Sequence, residues 1–254
     1  MLIIFILCVC SVDAQTIGDL LERLNGVAYS TDPPRTKESF AKLYRATTLY
    51  VDQGIGKNYY SDDDFIISTE VKFGDAFFVA INDTVPKTYG WSIALNDSLT
   101  ANCNDIQRIL LAINAHINDD LLPALLSLED RGDPLQRKAD MDKAGVQIMK
   151  LIDTVFVKYQ QHCPKMSFMD RIIYKFSKNK IERLILKERE AIWNRYMKIK
   201  AHQELRELIL KEQFEETKAM VNKILYPKGF ENYFLKRLNR KYAIPSDVFF
   251  KEII

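Results

Sequence analysis

The stretch "KNKIERLILKEREAIWNRYMKIKAHQELRELILKEQFEETKAMVNKIL", residues 178–225, contains neither glycine nor proline. Within it Ile181, Ile185, Ile192, Tyr196 and Ile199 recur at steps of three, four and seven residues, which gathers them on one face of a helix. Nowhere does a strict apolar–polar alternation persist beyond a few residues. "FFVAI" has the composition of a strand, but its neighbours continue the helical period. Nine glycines and eight prolines in 254 residues are too few to punctuate many tight hairpins. The reading is all-α: a multi-helix domain, bundled or orthogonal, with a long C-terminal helix.

Working outward, a helix is expected from about Leu135 to Gln161, closed by "HCPK" with His162 at its C-terminal end, where the dipole favours a cation. "STDPPRTKESF" reads as a loop leading into a helix, with Thr36 as the N-cap. That helix puts Phe40, Leu43, Tyr44, Thr47 and Val51 on one face. "GIGKNYYSDDD" turns the chain, and its aspartates suit the start of a helix whose stripe is Ile67, Val71 and Phe78.

The first fourteen residues, "MLIIFILCVCSVDA", form an apolar block too short to span a bilayer. Val12 and Ala14 stand where a signal-peptide cleavage site wants small residues, so residues 1–14 read as a signal peptide and 15–254 as a single all-helical domain. No other segment reads as a transmembrane span. A secreted chain makes a Cys103–Cys163 disulfide the expected state of the two remaining cysteines, with free buried thiols as the alternative. It also gives meaning to two glycosylation sequons, at Asn82 and Asn96. A net charge of +2 makes no demand for a nucleic-acid partner.

Chemistry concentrates in "NAHINDDLLPALL", residues 114–126, an apolar run with a histidine and two aspartates in its middle. At 100° per residue, His116 and Asp120 lie about 60° and 20° from Ile113, inside the apolar stripe and one turn apart. Asp119 falls about 120° away, towards solvent, and Asn114 and Asn118 form a second i, i+4 pair on the flank. A buried aspartate needs a partner. Arg189, on the edge of the late helix's stripe, is the expected bidentate one, and Asp75 a weaker addition.

Three readings follow. His116, Asp120, Asn114, Asn118 and Arg189 could be a structural polar network. They could bind a small ligand between helices. Or His116, Asp120 and Glu188 could hold a divalent metal (zinc, manganese or iron) and hydrolyse an ester or phosphoester with a metal-bound water. There is no Ser-His-Asp order and no phosphate-cradling glycine loop. Trp91 and Trp193 read as core, and His202 as a surface residue.

"NAHINDDLLPAL" also resembles the Asn-Ala-His-Ile-Asn-x-Asp-Leu signature of domain-of-unknown-function family 5995. "FAKLYRATT", "DDDFIISTEVKFGDAFF" and "REAIW" are similar to further family segments and fall in the same order. The resemblance spans most of the mature chain. It implies a helical fold and a site at Asn114, His116, Asn118 and Asp120, and it implies no chemistry. The His-x-x-x-Asp pair is also similar to that of the helical zinc-dependent phospholipases C and P1-type nucleases. Those enzymes build a histidine-rich zinc cluster, which a chain with three histidines does not supply.

Overall fold

The computed structural model describes residues 16–31, 35–82, 84–85, 87–129, 132–163 and 168–229. The signal-peptide segment, residues 1–14, lies outside them. The elements are α1 (Ile17–Ala28), α2 (Thr36–Asp52), α3 (Asp63–Ile81), α4 (Tyr89–Ala94), α5 (Asp105–Ala115), α6 (Leu121–Ser127), α7 (Pro134–His162), α8 (Phe168–Ala201) and α9 (Arg206–Leu225). A single π turn, His116–Asp120, joins α5 to α6. Among the described residues no strand forms, and "FFVAI" ends α3.

The helix starts follow from side chains that satisfy the first orphan N–H groups. Thr16 and Asp19 cap α1 reciprocally, and Asp62 accepts from the Phe65 N–H at 2.9 Å to open α3. Helix α2 begins one residue earlier than Thr36 as N-cap would allow. Arg35 is the cap residue, Thr36 is already helical, and the Glu38 carboxylate accepts the Arg35 N–H at 3.0 Å.

The rod formed by α5, the π turn and α6 is the centre of the molecule. Helices α2, α4 and α9 pack on α5, α3 and α8 pack on α6, and α7 closes the far side against α2, α3 and α8. Leu111, Leu121, Leu122 and Leu125 of the rod are fully buried. Burial of such a side chain is worth roughly 1.5–3 kcal/mol. By length and hydropathy Asp105–Ser127 reaches a membrane-spanning helix, which the sequence reading did not anticipate, but 72% of that window is buried inside the protein. It is the core helix here.

The fold is all-α with a long C-terminal helix, as expected, but the run 178–225 is divided between α8 and that helix, α9, because α8 stops at Ala201 and a 3₁₀ turn at Gln203–Leu205 starts α9. Residues 201–204 are all exposed, so the apolar stripe that ends at Ile199 has no core left to follow. The chain turns there, and α9 brings Ile209 and Val221 back against α4 and α5. The face that α3 buries is centred on Ile66, Thr69, Glu70, Phe73 and Phe77; of the expected stripe Val71 is buried, and Ile67 and Phe78 lie on the rim. Glu70 in mid-face disguised it.

Cys103 and Cys163 are not joined to each other, so the expected disulfide does not form. Cys103 precedes α5, whose first turn reaches the end of α9 through the Gln107 Nε2–H to Ile224 carbonyl bond. Cys163 caps α7, which packs on α2, α3 and α8 instead. The sequon asparagines Asn82 and Asn96 are both exposed. Asn82 Oδ1 accepts from the Thr84 N–H at 3.0 Å and its hydroxyl at 2.8 Å.

Candidate functional site

Pro123 explains the shape of the site. It has no N–H, and its ring crowds the carbonyl four residues back, that of Asp119. A wider turn just before it relieves that crowding, and π turns of this kind recur at functional sites. In the π register the Asn118 carbonyl would look to residue 123, which has nothing to donate. Gln213 Nε2 of α9 donates to it instead. Gln213 lies in the buried stripe Ile209, Gln213, Thr217 and Val221.

The wider turn also re-aims the two aspartates. Asp119 does not face open solvent, as an undistorted helix predicts. Its Oδ2 accepts from the Thr88 hydroxyl at 2.6 Å and the Gly90 N–H at 2.8 Å, so it caps α4. Gly90 is needed for this approach: a Cβ there would stand 2.6 Å from Asp119 Oδ2 and 2.9 Å from Ala115 Cα. Asp120 points inwards. Its Oδ2 accepts from the Trp91 indole N–H at 2.8 Å and lies 2.8 Å from His116 Nδ1. Asp119 and Asp120 thus hold two adjacent residues of α4, Gly90 and Trp91.

His116 sits in an aromatic box. Phe73 stacks on it, and Tyr44, Phe40 and Phe77 meet it edge-on. Burial, reinforced by the charge of Arg189, holds the imidazole well below its ordinary range. Burial pushes the Asp120 carboxyl well above its ordinary range, against the pull of the Trp91 indole. The pair is therefore held without net charge. Its Nδ1 edge is engaged, while Nε2 is buried and has no hydrogen-bond partner.

His116 lines a cavity of about 80 Å³ between α2, α3, α5, α7 and α8. The α2 face foreseen from sequence supplies Leu43, Tyr44, Thr47 and Val51, and α7 and α8 add Leu151 and Ile185. Two charged side chains join this apolar wall, Glu70 and Arg189. Burial raises Glu70 to about 7, with Arg189 opposing the shift. Arg189 donates to the Met141 carbonyl at 3.3 Å. Among the described residues no carboxylate approaches it to 4.0 Å, so the expected Arg189–Asp120 pair does not form. Trp91 and His116 are the partners of Asp120 in its place.

The remaining candidates separate from this dyad. Asn118 Nδ2 donates to Asn114 Oδ1 at 3.1 Å on the side of the rod facing α9. Glu188 lies towards Asn118, where burial and the nearby Glu216 raise its carboxyl. His116, Asp120 and Glu188 do not converge, and among the described residues no group of three His, Cys, Asp or Glu side chains is placed to hold a metal. Asp75 pairs with Arg23 at 2.7 Å. His202 is exposed, as expected, and Trp91 and Trp193 are buried. The reading of Trp91 as plain core missed its indole bond. Glu70, Tyr44, Phe73, Gly90 and Gln213 were also missed as site residues. The one signal for Glu70 was its place four residues before Gly74, amid apolar neighbours.

No curated protein and no solved structure matches the chain. The sequence profile of one family matches residues 17–227, which takes in every helix from α1 to α9. The chain belongs to the family of unknown function DUF5995.

Proposed function

We propose that this is a binding protein for a small organic molecule, held in the cavity beside His116. The observation that carries the reading is the buried, unpartnered Nε2 of an imidazole that lines a mostly apolar cavity. A buried polar atom left without a partner costs about 1–3 kcal/mol. A bound polar group removes that cost. The aromatic box and the Asp120 bond fix the ring's orientation, so Nε2 is preorganised for such a partner.

The cell exterior is the proposed place of action. The apolar N-terminal block and the exposure of Asn82 and Asn96 support it, while the two unjoined cysteines add nothing to it. Metal-assisted hydrolysis is the weaker reading, because the donors suggested for it stand apart.

The test is native mass spectrometry of the protein purified without added ligand, with elemental analysis of the same sample. A small organic molecule that leaves on denaturation, and is lost in His116→Phe, is the expected result. About one equivalent of zinc, manganese or iron, absent from the Asp120→Asn variant, would replace this reading with the metal site.

A further inference from the structure

Two features of the cavity wall ask for the same chemical group. The first is Arg189. Arg189 lines the cavity, and the hydrogen bond its guanidinium makes goes to a neutral carbonyl, that of Met141. The one carboxylate on the same wall, Glu70, stands beyond ion-pairing distance. A cation in apolar surroundings without a close anion is costly, and a carboxylate matches its planar fork in two parallel bonds. The second is His116 Nε2. Burial holds the imidazole down and the Asp120 carboxyl up, so a protonated Asp120 donates to Nδ1 across the 2.8 Å contact and Nε2 carries the ring hydrogen. The buried, unpartnered Nε2 is then a donor, and it needs an acceptor.

We propose that the cavity takes a short-chain monocarboxylate, its oxygens received by Arg189 and His116 Nε2 and its alkyl chain by Leu43, Val51, Leu151 and Ile185. This rests on the small-ligand reading above and names the ligand class for it. Charge balances inside: the carboxylate neutralises Arg189, and Glu70 accepts a proton to remain uncharged beside the new anion. An amine would meet two donors and the Arg189 charge, and would have only Glu70 to pair with. The cavity, about 80 Å³, is roughly half the ~150 Å³ that accommodates benzene, which suits an acid smaller than benzene, of about two or three carbons.

Isothermal titration calorimetry of the full chain with acetate, propionate, propionamide and propylamine tests the class, with thermal melting as a second readout. Acetate or propionate is expected to bind and to raise the melting temperature, and the amide and amine to bind at least about tenfold more weakly. Arg189→Gln should weaken the acid by about tenfold or more, and Arg189→Lys, which keeps the charge, by less. Should Arg189→Gln fail to fold, the four-compound comparison on the wild type decides alone. Amide or amine binding as tightly as the acid would overturn the monocarboxylate and leave the small-ligand reading standing. No binding by any compound at millimolar concentration, together with no co-purifying molecule, would remove both.

Discussion

Phe73 lies flat on His116, with ring centroids 3.5 Å apart and planes 9° from parallel. Tyr44 meets the same imidazole with a centroid distance of 4.4 Å and a tilt of 63°. These contacts leave the ring no room to rotate, so the Asp120 bond and the direction of Nε2 are set together. They also exclude water from the imidazole, which is why burial dominates its protonation.

The imidazole signal of His116 should therefore not titrate through the ordinary range near ~6.5. Two-dimensional NMR of the ring carbons and protons between pH 6 and 8 checks this. The His116 resonances should stay fixed in that interval. A full titration shift with a midpoint near the ordinary value would show that the ring is hydrated and the dyad open.

Glu70 gives the fold a pH dependence of known sign. Its folded value, about 7, lies above the ordinary carboxyl value of 4.5. Between those values the folded state holds more protons than the unfolded chain, so stability falls as pH rises through that window. Tyr44 and Tyr60, which face it, are pushed up and stay neutral there, and Arg189 stays charged. The His116–Asp120 pair across the cavity is uncharged. Its histidine works the other way, costing stability as pH falls below ~6.5. Glu70→Gln isolates the carboxyl. It should be more stable than wild type by up to about 3 kcal/mol at pH 8, with the difference shrinking to nothing near pH 4. Urea melts at several pH values measure it, and a difference independent of pH would sink the assignment.

Gly90 is required by distance rather than by backbone conformation. Gly90→Ala should drive α4 off the rod, because its Cβ would meet Asp119 Oδ2 and the backbone of Ala115. Overpacking of this kind costs about 1–3 kcal/mol. The shift would also lengthen the Trp91–Asp120 bond, so the near-ultraviolet circular dichroism of the tryptophans should change. Unchanged stability and an unchanged spectrum would mean that α4 can move without disturbing the dyad.

What the sequence made legible was periodicity. The α2 face of Phe40, Tyr44 and Val51, the span of α7 and the inward placement of His116 and Asp120 all follow from a repeat of about 3.6 residues. What escaped it was each departure from that repeat. The π turn shifted Asp119 from solvent to the cap of α4. The break after Ala201 split a run with no glycine or proline to mark it. Partners distant in the chain were the other loss. Trp91 reaches Asp120 across 29 positions, and Gln213 reaches Asn118 across 95. A guanidinium suits a buried carboxylate, but the donor that reaches Asp120 is the Trp91 indole, which nothing in the local sequence pattern separates from core.

The Gln213–Asn118 bond should be coupled to Pro123. Gln213 is buried, and it supplies the hydrogen that the proline withholds from the Asn118 carbonyl. Gln213→Leu puts an apolar side chain of similar length in the stripe but leaves that carbonyl unpaired, at a cost of about 1–3 kcal/mol. Pro123→Ala restores an N–H five residues after Asn118, where the π register can use it. Proline 123 is exposed, so its ring contributes little packing. In the double variant the new N–H should recover part of the loss, so the two changes together should cost less than their sum by about 0.5–1.5 kcal/mol. A double-mutant cycle by urea denaturation measures the difference. Strict additivity would mean that the π turn does not owe its form to the missing N–H of Pro123, and that the ring's crowding of Asp119 alone shapes it.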